Sequence, residues 1–198
     1  MVTELTAVVQ PYTAREGDTV MLTCRSGCPE PTDIVWFKER QRVWSSVFQA
    51  RREDAGSYYC AILGQETVRS ASVALSVHYY PMNVSVSVNP EHIVEGGRVN
   101  LTCSSEANPA ADSYTWYKKT ETIGSNTLIH MGSGQVLSLP SMESSHGGLY
   151  VCNVRNSLGE GNSTEVVLAM EASQHGLWHL TATNSLTLFS SNMTLFVP

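Results

Sequence analysis

The 198-residue chain has no long apolar run, few charges and few aromatics. A membrane-crossing helix needs about 20 consecutive apolar residues, and nothing here approaches that, so no membrane span is expected in this chain. Only 15% of residues are charged, with 12 Lys and Arg against 18 Asp and Glu, for a formal net charge of -6. Gripping a phosphate backbone depends on clustered cations, so nucleic acid is excluded as a partner. The densest basic group, Lys38, Arg40, Arg42, Arg51 and Arg52, reads as a solvated face rather than a polyanion site. Catalytic motifs are missing too: there is no nucleophile elbow, Gly-rich phosphate loop or paired-carboxylate motif. No enzymatic activity and no cofactor are expected. The one close histidine pair, His175 and His179, lacks further Cys or His ligands at suitable spacing, so no metal is expected.

What the chain does have is a pattern that occurs twice. A Cys closes an alternating apolar segment, a Trp follows about a dozen residues on, and Tyr-x-Cys comes later. The first copy is Cys24, Trp36, Tyr58 and Cys60, and the second is Cys103, Trp116, Tyr150 and Cys152. The segments Glu16-Gly-Asp-Thr-Val-Met-Leu-Thr-Cys24 and Glu95-Gly-Gly-Arg-Val-Asn-Leu-Thr-Cys103 coincide at one constant offset. Two sheets pinned by a disulfide, with an indole against the bridge and a Tyr holding the turn before the second Cys, make an immunoglobulin-type sandwich. The predicted fold class is therefore all-β, with two tandem immunoglobulin-like, C2-type sandwiches. The gap between Trp36 and Tyr58 is too short for the extra strands of a variable-type domain.

Domain boundaries are placed at 2–79 and 80–171, with 172–198 left as a poorly assigned tail. Strands are expected over Asp33–Lys38, near Val47–Ala50, over Tyr58–Leu63 and over Val68–Val77. In the second repeat they are expected over Tyr114–Lys118, near Val136–Leu139, over Leu149–Asn153 and over Ser163–Ala169. Val20, Leu22 and Cys24, like Val99, Leu101 and Cys103, should face the core, and Thr19, Met21, Thr23, Arg98, Asn100 and Thr102 should face water. Pro81 favours an extended Tyr80, so the last strand of the first domain should run on into the second. Alternation in the tail could make one extra strand.

Five cysteines belong to an oxidising compartment. Cys24 with Cys60 and Cys103 with Cys152 would close loops of 36 and 49 residues, each stabilising its domain by about 4 kcal/mol in the chain-entropy model. Four glycosylation sequons, at Asn83, Asn100, Asn162 and Asn192, point the same way, with fewer than four expected to carry glycan. The start, Met1-Val-Thr-Glu-Leu-Thr, has neither the basic nor the apolar region of a signal peptide. The expectation is an ectodomain fragment on the extracellular side of the plasma membrane.

Longer strings carry a resemblance. Glu95-Gly-Gly-Arg-Val-Asn-Leu-Thr-Cys-Ser-Ser-Glu-Ala-Asn-Pro-Ala, Tyr114-Thr-Trp-Tyr and His146-Gly-Gly-Leu-Tyr-Val-Cys-Asn-Val-Arg-Asn-Ser-Leu-Gly159 resemble a C2-set domain of the sialic-acid-binding immunoglobulin-like lectins, nearest to the B-cell member. Arg52-Glu-Asp-Ala-Gly-Ser-Tyr-Tyr-Cys60 and the Tyr79-Tyr-Pro81 junction are similar to the repeated domains of the same receptors. The resemblance covers roughly residues 8 to 170. It implies cell adhesion and regulation of immune-receptor signalling by a leukocyte receptor, with these domains as a spacer for a lectin domain outside the chain. The alternative is a protein-ligand-binding adhesion module of another immunoglobulin-superfamily receptor. Implied partners are a cell-surface glycoprotein or other protein ligand, and adjacent immunoglobulin domains of the same receptor.

In that family a guanidinium on a variable-type domain holds the sugar carboxylate through paired charge-assisted hydrogen bonds, and the alignment puts Ala61 at its position. Glycan recognition is therefore not expected of these domains, and the ligand-binding residues are unknown. The end loops Ser104–Ser113 and Glu121–Asn126 are candidates for meeting a partner. By the same resemblance Cys28, the odd thiol, would bond to a preceding domain; a free or capped thiol and an intermolecular disulfide are the other readings. Asp54 of Asp-Ala-Gly-Ser-Tyr-Tyr-Cys60 is replaced in the second repeat by His146, which makes that corner either titratable near neutral pH or simply an exposed, inert histidine.

Overall fold

The computed structural model describes residues 4–27, 33–122, 125–172 and 178–183. Cys28 and Asn192 lie outside the described residues. The chain divides into two compact units, the first comprising Met1–Tyr80, Ala107–Ala110 and Asn156–Leu158, the second Pro81–Glu106, Ala111–Arg155 and Gly159–Pro198.

In the first unit β1 (Leu5–Gln10), β2 (Thr13–Arg15), β3 (Thr19–Ser26), β4 (Ile34–Lys38), β5 (Gln41–Val43), β6 (Val47–Gln49), β7 (Gly56–Ile62) and β8 (Gln65–Arg69) precede the long β9 (Val73–Asn89). One sheet has the order β1-β3-β6, and in the facing sheet β9, β7, β4 and β5 are successive neighbours, β8 pairs with β7, and β2 runs parallel to β9. The alternation read from the sequence sets the core: Val20 and Leu22 of β3 are buried with Trp36, Tyr58, Cys60, Leu75 and Val77. Cys24 and Cys60 are bonded across the two sheets.

In the second unit the strands are the continuation of β9, then β10 (His92–Val94), β11 (Val99–Asn108), β12 (Ser113–Thr122), β13 (Ser125–Ser133), β14 (Val136–Leu139), β15 (Gly148–Asn156), β16 (Gly159–Asn162), β17 (Val166–Ala172) and β18 (Trp178–Thr183). Here β9, β11 and β14 are neighbours in one sheet, and the other runs β10-β18-β17-β15-β12-β13 with β16 on β15. Val99, Leu101, Cys103, Trp116, Tyr150 and Cys152 are fully buried together, and Cys103 and Cys152 are bonded. Trp116 Nε1 donates to Gly134 O at 2.9 Å, which satisfies the one polar atom of a buried indole.

Three features depart from the sequence reading. The segment over Val68–Val77 is two strands, β8 and the start of β9, broken over Ser70–Ser72. The strands β5 and β13 were not anticipated; among the described residues each pairs with the preceding strand alone, β4 or β12. The extra strand that the tail's alternation allowed is β18, lying between β10 and β17, where it satisfies backbone groups that a bare sheet edge leaves unpaired. Asn100 does not stand in open water: it is half-buried and its Oδ1 is shut off from solvent without a protein partner. The reason is that β11 is a middle strand, flanked by β9 and β14, so its outward side chains are partly covered by those of its neighbours.

Candidate functional site

Each unit builds the same corner before its second Cys. In the first, the Tyr58 hydroxyl donates to Asp54 O at 2.7 Å, Asp54 Oδ2 accepts the Arg51 N–H at 2.8 Å, and the Lys38 amine donates to Glu53 O. In the second, the Tyr150 hydroxyl donates to His146 O at 2.8 Å, His146 Nδ1 accepts the Glu143 N–H at 3.0 Å, and Lys118 Nζ donates to Ser145 O at 2.6 Å. Burial pushes both phenols up to about 12, with the Asp54 carboxylate adding to the effect at Tyr58, and burial lowers the Lys118 amine. All these groups are engaged with their own backbone, so the corners hold loops rather than perform chemistry.

Beyond the corner, a buried Ser clamps β7 in the first unit and β15 in the second. Ser70 Oγ accepts the Cys60 N–H and Ser163 Oγ the Cys152 N–H, both at 3.0 Å, while each Ser N–H donates back to the same Cys carbonyl at 2.9 Å. Sequence reasoning missed these residues, although a Ser recurring ten or eleven positions after the second Cys is a readable signal.

The basic group singled out in the sequence separates in space. Lys38 is tied to the corner, Arg52 meets Glu16 at 3.4 Å and Arg51 meets Glu53 at 3.8 Å. Arg42 instead lies opposite Phe37, which lies opposite Tyr59. The Phe37 and Tyr59 rings stack with centroids 5.2 Å apart and planes at 14°. Arg69 of β8, which the sequence reading did not single out, places its guanidinium 5.4 Å from the Tyr59 ring centre. Arg42 sits 4.4 Å from the ring centre of Trp44, which is 83% exposed. The result is a row Arg42–Phe37–Tyr59–Arg69 across β5, β4, β7 and β8, with an exposed indole at one end. Arg and Trp are the residue types that dominate binding energy at protein interfaces, and guanidinium held over an aromatic face is pre-oriented for a carboxylate.

Other sequence candidates fall elsewhere. Ala61, aligned with the lectin Arg, is fully buried opposite Val35 and Arg69. Ser104–Asn108 belong to β11, leaving only the stretch before Ser113 as loop, and the hairpin side chains over 121–126 lie outside the described residues. Asn83 and Asn162 are exposed. Among the described residues no group of three or more His, Cys, Asp or Glu could hold a metal, and no helix is long and apolar enough to cross a membrane.

Comparison with known proteins agrees with this architecture. Residues 83–156 match the model of the immunoglobulin domain. The chain is 32% identical over 168 residues to B-cell receptor CD22 of Mus musculus, an alignment covering 79% of this chain and 18% of that protein. It is 39% identical over 106 residues to vascular cell adhesion protein 1 of Homo sapiens, covering 53% of this chain and 14% of that protein. The chain thus spans less than a fifth of either relative. The crystal structure of the ectodomain of mouse nectin-like molecule 4 superposes with a TM-score of 0.64 at 23% identity, covering 84% of this chain and 64% of that one, a likeness of fold. Paired sandwiches, each with its Cys–Cys bridge, and the matched domain make this a chain of tandem immunoglobulin-type domains, similar to parts of B-cell receptor CD22 and of vascular cell adhesion protein 1.

Proposed function

We propose that this chain is an ectodomain fragment of a siglec-like leukocyte receptor, and that its first unit contacts a protein ligand through the Arg42–Phe37–Tyr59–Arg69 row. The observation that carries this reading is Trp44, 83% exposed and stacked under Arg42 at 4.4 Å. Leaving a large indole in water at the end of a cationic row has a use when a partner covers it. The ligand that fits is an acidic protein surface, whose carboxylates meet Arg42 and Arg69 while its apolar groups cover Trp44. Sequence alone favours the spacer role; the exposed row shifts the balance for the first unit towards binding. The 32% identity with a B-cell receptor supports the leukocyte setting. A spacer role remains the second reading, and it suits the second unit, where all four sequons lie. In that form of the reading, sialic acid is bound by a lectin domain outside this chain.

The chain clustered on a multivalent carrier and offered to leukocytes, with and without sialidase, tests both readings. Binding that survives sialidase and is lost in Arg42→Glu and Trp44→Ala supports the protein ligand. Loss of binding on sialidase treatment would overturn it in favour of a glycan. No binding by the unaltered chain would leave the spacer reading alone standing.

A further inference from the structure

The outer face of the second unit carries a groove of about 670 Å3, lined by Tyr117, Lys119, Leu128, Val151, Asn153 and Asn162 among others. Its floor is apolar, with Leu128 55% exposed and the half-buried Tyr117 ring beside it. Its rim is tied off: Lys119 Nζ meets Glu165 Oε1 at 2.8 Å, and Asn153 Nδ2 donates to Asn162 Oδ1 at 2.8 Å. That last bond has a consequence. It engages the carbonyl oxygen of Asn162 and not Nδ2, the atom to which an N-linked glycan attaches, and Asn162 is itself an exposed residue of the groove's lining. Thr164, which completes the sequon Asn162-Ser-Thr, is exposed.

The other described sequons are less open. Asn83 Nδ2 donates to Glu106 Oε2 at 3.1 Å. Asn100 is half-buried, with its oxygen closed off.

We propose that Asn162 carries an N-linked glycan whose first N-acetylglucosamine residues fold back over this groove, setting their apolar C–H faces on the Tyr117 ring and Leu128. An exposed apolar floor on a folded sheet calls for a cover, and the cover is attached at its own rim. Sugar C–H groups are slightly positive and meet the negative face of an aromatic ring favourably. This face of the second unit is thereby shielded from protein partners, whichever ligand the first unit binds.

The test is the full chain secreted from mammalian cells, compared with Thr164→Ala and Asn162→Gln, both of which remove the sequon, Asn162→Gln while keeping an amide. Glycopeptide mass spectrometry should find Asn162 occupied. Hydroxyl-radical footprinting should label Tyr117 and Leu128 several-fold less in the glycosylated chain than in either variant, with Trp116, fully buried in the core of the second unit, equally protected in all three as a check on folding. An unmodified Asn162 would overturn the inference. So would a modified Asn162 with unchanged labelling of Tyr117 and Leu128, an outcome that would leave the groove open for a protein.

Discussion

The backbone N–H of Glu143 donates to Nδ1 of His146 at 3.0 Å, in the place where the first unit has the Arg51 N–H donating to Asp54 Oδ2 at 2.8 Å. The imidazole imitates the carboxylate as an acceptor, but it brings no negative charge to the first turn of the short helix over Ser144–His146. A carboxylate there makes a charge-assisted bond and complements the exposed N–H groups of the turn. His146→Asp should therefore raise the stability of the second unit at neutral pH by about 1 kcal/mol, the scale of a good helix cap. Thermal unfolding followed by calorimetry checks this; an unchanged or lowered midpoint would show that the histidine makes contacts the carboxylate does not replace.

Gly56 and Gly148 hold φ at +149° and +143°, a region where side chains are strained. A Cβ at Gly56 would meet Lys38 Cε at 2.8 Å, and one at Gly148 would meet Lys118 Cε at 2.7 Å. Moving the lysine aside would break its bond to the corner carbonyl, Glu53 O or Ser145 O. Gly56→Ala and Gly148→Ala should each destabilise their unit by more than about 1 kcal/mol. Denaturant titration reads the loss, and a neutral effect would mean the corner backbone can relax out of the positive-φ region.

The two repeats were legible because their markers are large or covalent: a Cys pair, a Trp and a Tyr at fixed spacing, with Val20 and Leu22 or Val99 and Leu101 alternating between them. What the sequence hid depends on neighbours. Among the described residues the edge strand β13 pairs with β12 alone, and its run Ser-Asn-Thr-Leu-Ile-His-Met-Gly-Ser shows no period of two for a core to select. With three residues, β5 is too short for any period to register. Arg69 joins the aromatic row only because β8 folds back on β7, a long-range pairing no local window contains. Asn100 sits on the expected outward face, and its partial burial comes from the strands on either side of it.

Alkaline pH should unfold the chain in a definite window. The Tyr58 and Tyr150 hydroxyls titrate ordinarily near 10 and are pushed up to about 12 in the folded state, chiefly by burial. A raised pKa of this kind contributes stability that is complete below pH 10 and lost as pH climbs through 12, on the order of 2 kcal/mol per phenol. Lys118, lowered by burial, acts in the opposite sense, since the cost of its buried charge is relieved as it deprotonates. The second unit should therefore lose less than the first. Absorbance at the phenolate band should show two of the eight tyrosines ionising last and together with unfolding; all eight ionising near 10 in the folded chain would contradict the burial of the two corners.

Ser70 and Ser163 offer the sharpest test of what holds β7 and β15. Each hydroxyl accepts the N–H of the disulfide-bonded Cys of its own unit at 3.0 Å, and each Ser is buried. Replacing the hydroxyl by hydrogen leaves that buried N–H without its acceptor, which costs about 1–3 kcal/mol. Ser70→Ala should weaken only the first unit and Ser163→Ala only the second. Because Ser163 is the middle residue of Asn162-Ser-Thr, Ser163→Ala keeps the sequon intact, whereas Thr164→Ala removes it without touching the clamp. If the clamp and the glycan act separately, Ser163→Ala lowers the unfolding midpoint and preserves glycosylation, and Thr164→Ala abolishes glycosylation while the clamp stays closed. Equal stability of Ser163→Ala and the unaltered chain would mean the Cys152 N–H finds another acceptor, and the strand would then owe its position to the disulfide and its sheet pairing alone.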